Sequence, residues 1–169
     1  INKYKKMRKL GHIKKKFTGS YAFVGIGNHS INNLYPVLNY LNVDIKYIVS
    51  GSKDTADAVS NNYEGIKGTN DISEALNDDS IKGVFICANP EKHYGLIKQC
   101  LESNKNVFAE KPPCKTTEEL DRLIKAEQNS KGTALVGLQK RYAPLYRLLK
   151  AKMKDPVYYN CKYFTGAYP

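Results

Sequence analysis

Residues 20–30 read SYAFVGIGNHS, and this stretch decides the fold. Tyr21, Ala22, Phe23 and Val24 form an apolar run that passes directly into Gly25-x-Gly27-x-x-Ser30, and an apolar rhythm of helical spacing begins at Ile31. Strand, tight turn and helix in that order form the setting in which a dinucleotide pyrophosphate rests on a helix N-terminus. Gly25 permits the tight turn and Gly27 lets the backbone approach the phosphates. Ser30 stands where a third glycine would allow close packing of helix on strand, and serine is small enough to serve there.

Outward from this turn, strands and helices alternate. The first helix carries Leu34, Tyr35, Leu38 and Leu41 on one face, with Pro36 inside the pattern, so the helix kinks or restarts there. Strand two is DIKYIV, residues 44–49, and a helix follows over about 53–62. A short strand near Ile66 leads to a helix opened by Asp71, with Glu74 as a cap partner. IKGVFICA at 81–88 is apolar enough for a strand buried on both faces. The next helix carries Tyr94, Ile97 and Leu101, and NVFA at 106–109 is strand five. Thr116 and Glu119 read as a capping box for a helix with Leu120, Leu123 and Ile124 inside. ALVGL at 134–138 is strand six, and a last helix with Pro144 in its first turn should bury Leu145, Leu148, Leu149 and Met153. The order predicts an α/β fold, a doubly wound parallel sheet of the Rossmann dinucleotide-binding type. VYYNCKYFT at 157–165 breaks the alternation and reads as the first strand of a second α/β domain.

The formal charge of +11 sits mostly in one place. Residues 1–16 hold eight Lys and Arg and no acid, leaving +3 over residues 17–169. Within that head Ile1, Tyr4, Met7, Leu10 and Ile13 recur every three residues, the pattern of an amphipathic helix interrupted near Gly11. No basic platform interleaved with aromatics accompanies it, which argues against nucleic acid. The expected organisation is a basic head (1–16), a dinucleotide-binding domain (17–155) and the start of a truncated substrate domain (156–169). No apolar run approaches the roughly 20 residues of a transmembrane helix. Cys87, Cys100, Cys114 and Cys161 form no CxxC pair, so no metal site is expected, and scattered thiols suit a reduced cytoplasm.

In open parallel sheets ligands bind beyond the carboxyl ends of the strands. Gly25–Ser30 follows strand one. Ser50-Gly51-Ser52-Lys53 follows strand two without the acid that usually holds the ribose hydroxyls of NAD, while Asp44 lies at the opposite end of that strand. Two hydroxyls and the Lys53 ammonium suit a 2′-phosphate, so NADP is expected, with NAD also open. Asn89, Pro90 and His93 follow strand four and would line the cofactor pocket. Glu110-Lys111-Pro112-Pro113 follows strand five. There Lys111 would polarise a carbonyl or hydroxyl oxygen during hydride transfer, with Glu110 orienting it, or the two form an ordinary surface ion pair. Arg141, after strand six, is a candidate for substrate or cofactor contact.

GIGNHS at 25–30, Asn89-Pro90 with His93, VFAEKPP at 107–113 and VGLQKRYAPLY at 136–146 resemble, in order and spacing, the glucose–fructose oxidoreductase / inositol dehydrogenase (Gfo/Idh/MocA) family. The resemblance covers about residues 20–169, and Glu-Lys-Pro is its specific part. It implies an N-terminal NAD(P)-binding domain, a C-terminal α/β domain, a sugar or polyol substrate and a homo-oligomer. By position it also implies that Gly25, Gly27 and Asn28 serve the pyrophosphate, that Ser50 and Lys53 select the adenosine ribose, and that Asn89, Pro90 and His93 stand beside the nicotinamide. Lys111 matches the lysine that contacts substrate and cofactor, and Arg141 an arginine at the end of strand six. Family members run to roughly twice this length with their proton-transfer residues in the second domain, so a chain of this extent is expected to bind cofactor without turnover. A dinucleotide-sensing module is the alternative reading, and an interaction protein led by the basic head a third.

Overall fold

The computed structural model describes residues 17–155 together with Tyr158 and Asn160. The expected head (1–16) lies outside the described residues, as does the β-rich 157–165 apart from those two positions.

Six strands form one sheet: β1 (Ser20–Val24), β2 (Ile45–Val49), β3 (Lys67–Thr69), β4 (Ile81–Ile86), β5 (Asn106–Ala109) and β6 (Ala134–Val136). Their order is β3-β2-β1-β4-β5-β6 and every pairing is parallel. This is the doubly wound order expected of the alternating pattern, and it places a topological switch point between β1 and β4. Side-chain alternation divides the core between the two faces. Ala22 and Val24 join Tyr47, Val84, Ile86, Val107 and Ala109 on one face, whereas Phe23 and Ile48 pack with Leu38 and Val43 on the other.

Proline decides the first crossover. A π-helical turn over Ser30–Leu34 precedes α1 (Tyr35–Tyr40), and Pro36 stands in the first turn of α1. Having no N–H to donate, Pro36 cannot continue the i→i−4 ladder, and the chain restarts around it as expected. The later helices are α2 (Lys53–Ser60), α3 (Ile72–Leu76), α4 (Pro90–Glu102), α5 (Thr117–Gln128) and α6 (Pro144–Lys152). Side-chain caps fix four of their starts, with Ser52, Asp71, Asn89 and Thr116 each accepting a first-turn amide.

Three local expectations are corrected. Glu74 does not close a capping box; its carboxylate accepts from Thr69 Oγ1 at 2.6 Å and pairs with Lys67 at 2.6 Å. On α5 only Leu123 is buried, while Leu120 and Ile124 are exposed. The apolar stripe of α6 is not buried either: Leu145 is 64% exposed, and Leu148, Leu149 and Met153 are exposed with it. Spacing marks a face that favours cover, but it does not say what supplies the cover.

The described chain divides into two compact units, one ending at Gly137 and the other beginning at Leu138. The first holds the whole sheet. The second holds a 3-10 turn, Gln139–Tyr142, followed by α6.

Candidate functional site

A crevice of about 500 Å3 opens at the carboxyl ends of β1, β2 and β4, across the switch point. Its floor is the glycine turn. Gly25 has φ +99, and a Cβ there would stand 2.4 Å from the Cys87 carbonyl oxygen, so no other residue fits without displacing backbone. Its amide donates to the Val49 carbonyl at 2.9 Å, and the Cys87 amide donates to the Val24 carbonyl at 2.8 Å, which holds the turn against its neighbouring strands. Gly27 differs: a Cβ on it would meet nothing within 4 Å, and its bare side lines the crevice. Asn28 and His29 line it as well. Ser30, expected at the cofactor, points inward instead. It is 1% exposed, and its hydroxyl both accepts from the Gly27 amide and donates to the Gly27 carbonyl, each at 2.8 Å. Its small side chain closes the turn from behind.

The loop after β2 contributes Ser50 and Gly51 to the crevice. The Ser50 amide is held by the Thr69 carbonyl at 3.0 Å. Asp44 is remote from this loop, accepting from Ser20 Oγ at the other end of the strands, as expected. Lys53 is a correction: its ammonium pairs with Asp57 one turn along α2, and the residue does not line the crevice. Helical i,i+4 spacing brings that carboxylate to it. The cation that does reach the loop is Lys92 of α4, whose Nζ lies 3.6 Å from the position a Gly51 Cβ would take.

Asn89 lines the crevice and caps α4, its Oδ1 accepting from the Glu91 amide at 3.1 Å, with Pro90 in the first helical turn. His93, expected to line the pocket, stands behind it. The ring is 1% exposed, with Nδ1 2.7 Å from the Pro112 carbonyl oxygen and Nε2 3.0 Å from that of Ala88. It stitches the loops after β4 and β5 together.

Glu110 is buried at the end of β5. It does not pair with the Lys111 ammonium. Its Oε2 accepts from the Lys111 backbone amide at 3.3 Å, and its Oε1 faces His29 Nε2 at 3.4 Å. Asn33 Nδ2 lies 3.2 Å from His29 Nδ1, so the tautomer with its proton on Nε2 satisfies both neighbours. The glycine turn and the Glu-Lys-Pro segment therefore meet through a side-chain bridge that sequence spacing did not reveal. Lys111 is exposed, follows β5 directly and precedes a cis peptide bond to Pro112. Cys87 lines the crevice, and burial, with Glu110 nearby, pushes its thiol up to about 11, which leaves little thiolate nucleophile near neutral pH. Arg141 stands in the 3-10 turn of the second unit. Among the described residues no group of His, Cys, Asp and Glu could hold a metal ion, and no helix is long and apolar enough to cross a membrane.

These residues fit a dinucleotide. The side of Gly27 is bare where a diphosphate would approach, and no carboxylate lines the crevice. Gly25, Gly27 and Asn28 line the crevice in the turn that leaves β1, and the six-stranded order is that of a dinucleotide-binding Rossmann domain. The chain belongs to the Gfo/Idh/MocA oxidoreductase family, with its NAD-binding Rossmann fold, whose family model matches residues 20–138. It is 32% identical over 132 residues to inositol 2-dehydrogenase of Salmonella typhimurium, an overlap covering 76% of this chain and 39% of that protein. It is 25% identical over 89 residues to myo-inositol 2-dehydrogenase of Thermotoga maritima, covering 53% of this chain and 27% of that one. In fold it is similar to KijD10, a 3-ketoreductase from Actinomadura kijaniata in complex with NADP, with a TM-score of 0.71 at 18% identity over 80% of this chain and 43% of that one. The chain thus spans about two fifths of the length of the Salmonella relative.

Proposed function

We propose that this chain is the cofactor-binding domain of an NADP(H)-dependent oxidoreductase that moves hydride to or from the carbinol or carbonyl carbon of a sugar- or cyclitol-like molecule. The observation that carries this reading is the bare side of Gly27, turned into a crevice at the β1/β4 switch point. Inositol, a cyclitol, is the molecule two of the relatives are named for, which supports the substrate class. The β2 loop lacks a carboxylate to bind ribose hydroxyls and repel a 2′-phosphate, which favours NADP(H) over NAD(H).

The dinucleotide, when bound, supplies the hydride carrier. The turn from Gly25 to Asn28 binds its diphosphate through the Ile26 and Asn28 amides, those of Gly25 and Gly27 being bonded within the fold, and Ser50 meets the adenosine ribose. Lys111 holds the reacting oxygen of the substrate and stabilises the negative charge that develops there. Its ammonium has no ion pair or hydrogen bond among the described residues that would compete for it. Glu110 fixes the Lys111 backbone through its amide, and His93 fixes Pro112. The proton is exchanged by a group of the substrate domain, which begins near residue 156 on this reading.

Calorimetric titration of the chain with NADP+ and with NAD+ tests the proposal. Binding of NADP+ at one site per chain, tighter than NAD+, is expected. Binding of neither would overturn it.

A further inference from the structure

We infer that Lys92, in the first turn of α4, is the cation that selects a phosphorylated adenosine ribose in this crevice. The inference rests on the dinucleotide reading above and assigns the selector within it.

Three observations converge. The first is position. Lys92 lines the crevice, and its Nζ lies 3.6 Å from where a Gly51 Cβ would stand, so the ammonium hangs over the loop that follows β2. That loop meets the adenosine ribose in a doubly wound dinucleotide fold. The second is availability. Among the described residues the Lys92 ammonium has no ion pair or hydrogen bond. The acid beside it in sequence, Glu91, is paired to Lys115 at 2.7 Å. A cation facing a crevice without a carboxylate is ready for an anionic ligand. The third is elimination. Lys53, the other lysine near the loop, has given its ammonium to Asp57 and does not line the crevice.

The local structure explains the aim. Asn89 caps α4 and Pro90 sets its first turn, so the helix start is fixed beside the β4 end of the crevice. A helical side chain leans toward the N-terminus of its helix, which carries the Lys92 stem back over the strand ends. His93, the next residue, points into the core and locks the helix rotation that leaves Lys92 facing outward. Gly51 completes the arrangement, since a side chain there would enter the space beside the Lys92 ammonium.

The test is calorimetry on the full chain with NADP+ and NAD+, for wild type, Lys92→Ala, Lys92→Arg and Lys53→Ala. Removing one charge-assisted contact to a phosphate should weaken NADP+ by about tenfold or more. NAD+ should change by less than about twofold, because it lacks the phosphate concerned. Lys92→Arg should retain the preference and Lys53→Ala should leave it unmoved. If Lys92→Ala weakens both dinucleotides equally, the ammonium serves the shared diphosphate and the inference is overturned. A preference that moves with Lys53→Ala and not with Lys92→Ala also overturns it. In both cases the wild type still binds, so the reading of the crevice survives. Binding of neither dinucleotide by the wild type removes the reading and the inference together.

Discussion

The His93 imidazole and the Pro112 carbonyl are 2.7 Å apart, and the opposite ring nitrogen faces the Ala88 carbonyl at 3.0 Å. Carbonyl oxygens only accept, so both contacts are hydrogen bonds when both ring nitrogens carry protons, and a neutral ring donates to one of them. The ring is buried and spans two loops: one precedes the helix that carries Lys92, and the other follows Lys111. His93 is therefore a positioning residue for two cations at once.

Replacing it should cost stability. His93→Leu keeps most of the volume but leaves at least one buried carbonyl without its donor, a loss of about 1–3 kcal/mol. Urea unfolding measures it. A change below about 0.5 kcal/mol would mean the imidazole contributes nothing beyond packing.

The two turn glycines should separate folding from binding. Gly25→Ala forces a Cβ at φ +99 into the Cys87 backbone and should destabilise the chain by about 2 kcal/mol or more. Gly27→Ala meets empty space, so its thermal midpoint should match wild type while its dinucleotide affinity falls by about tenfold or more. The reverse pattern would show that Gly27 serves the turn and not a ligand.

Much of this arrangement was legible in residues 20–30 and in the alternation that follows, because buried parallel strands leave apolar runs bounded by turn residues. Asn106–Ala109 is a strand with the bounds its sequence suggested, and Pro36 restarts a helix for a reason local to its ring. The site was legible only where function resides in the backbone, as at Gly25 and Gly27. Side-chain roles depend on contacts that form only in the fold, within a helix as well as between elements distant in sequence. The Lys53 charge is plain in the sequence, whereas its capture by Asp57 is seen only in the helix, and Lys92 reaches Gly51 only because α4 packs where it does. Adjacency suggests that Glu110 serves Lys111, whereas the fold turns its Oε1 toward His29. The α6 stripe failed differently: amphipathic spacing identifies a face and leaves its cover unnamed.

Acid should loosen the chain through Asp78. Its carboxylate accepts from Lys46 at 2.7 Å, from the Tyr47 hydroxyl at 3.1 Å, and from the Ser80 amide and hydroxyl at 2.9 and 2.6 Å. The Lys46 contact first, then those of Ser80, hold the carboxyl well below the usual carboxylate range. A depressed folded-state value means the contribution is present above the unfolded value, about 4, and is lost as pH falls through the lower, folded one. Urea midpoints of wild type and Asp78→Asn should differ near neutral pH and converge as pH falls below about 4. A gap independent of pH would contradict this account.

The central claim is that a diphosphate sits on the glycine turn with the ribose end beside Gly51. Amide NMR of the isotope-labelled chain during titration with NADP+ tests it most directly. The account predicts that Gly25, Gly27, Asn28, Ser50 and Gly51 shift or broaden together, saturating at one equivalent. Shifts confined to other parts of the chain, with those five amides unmoved at saturation, would contradict it.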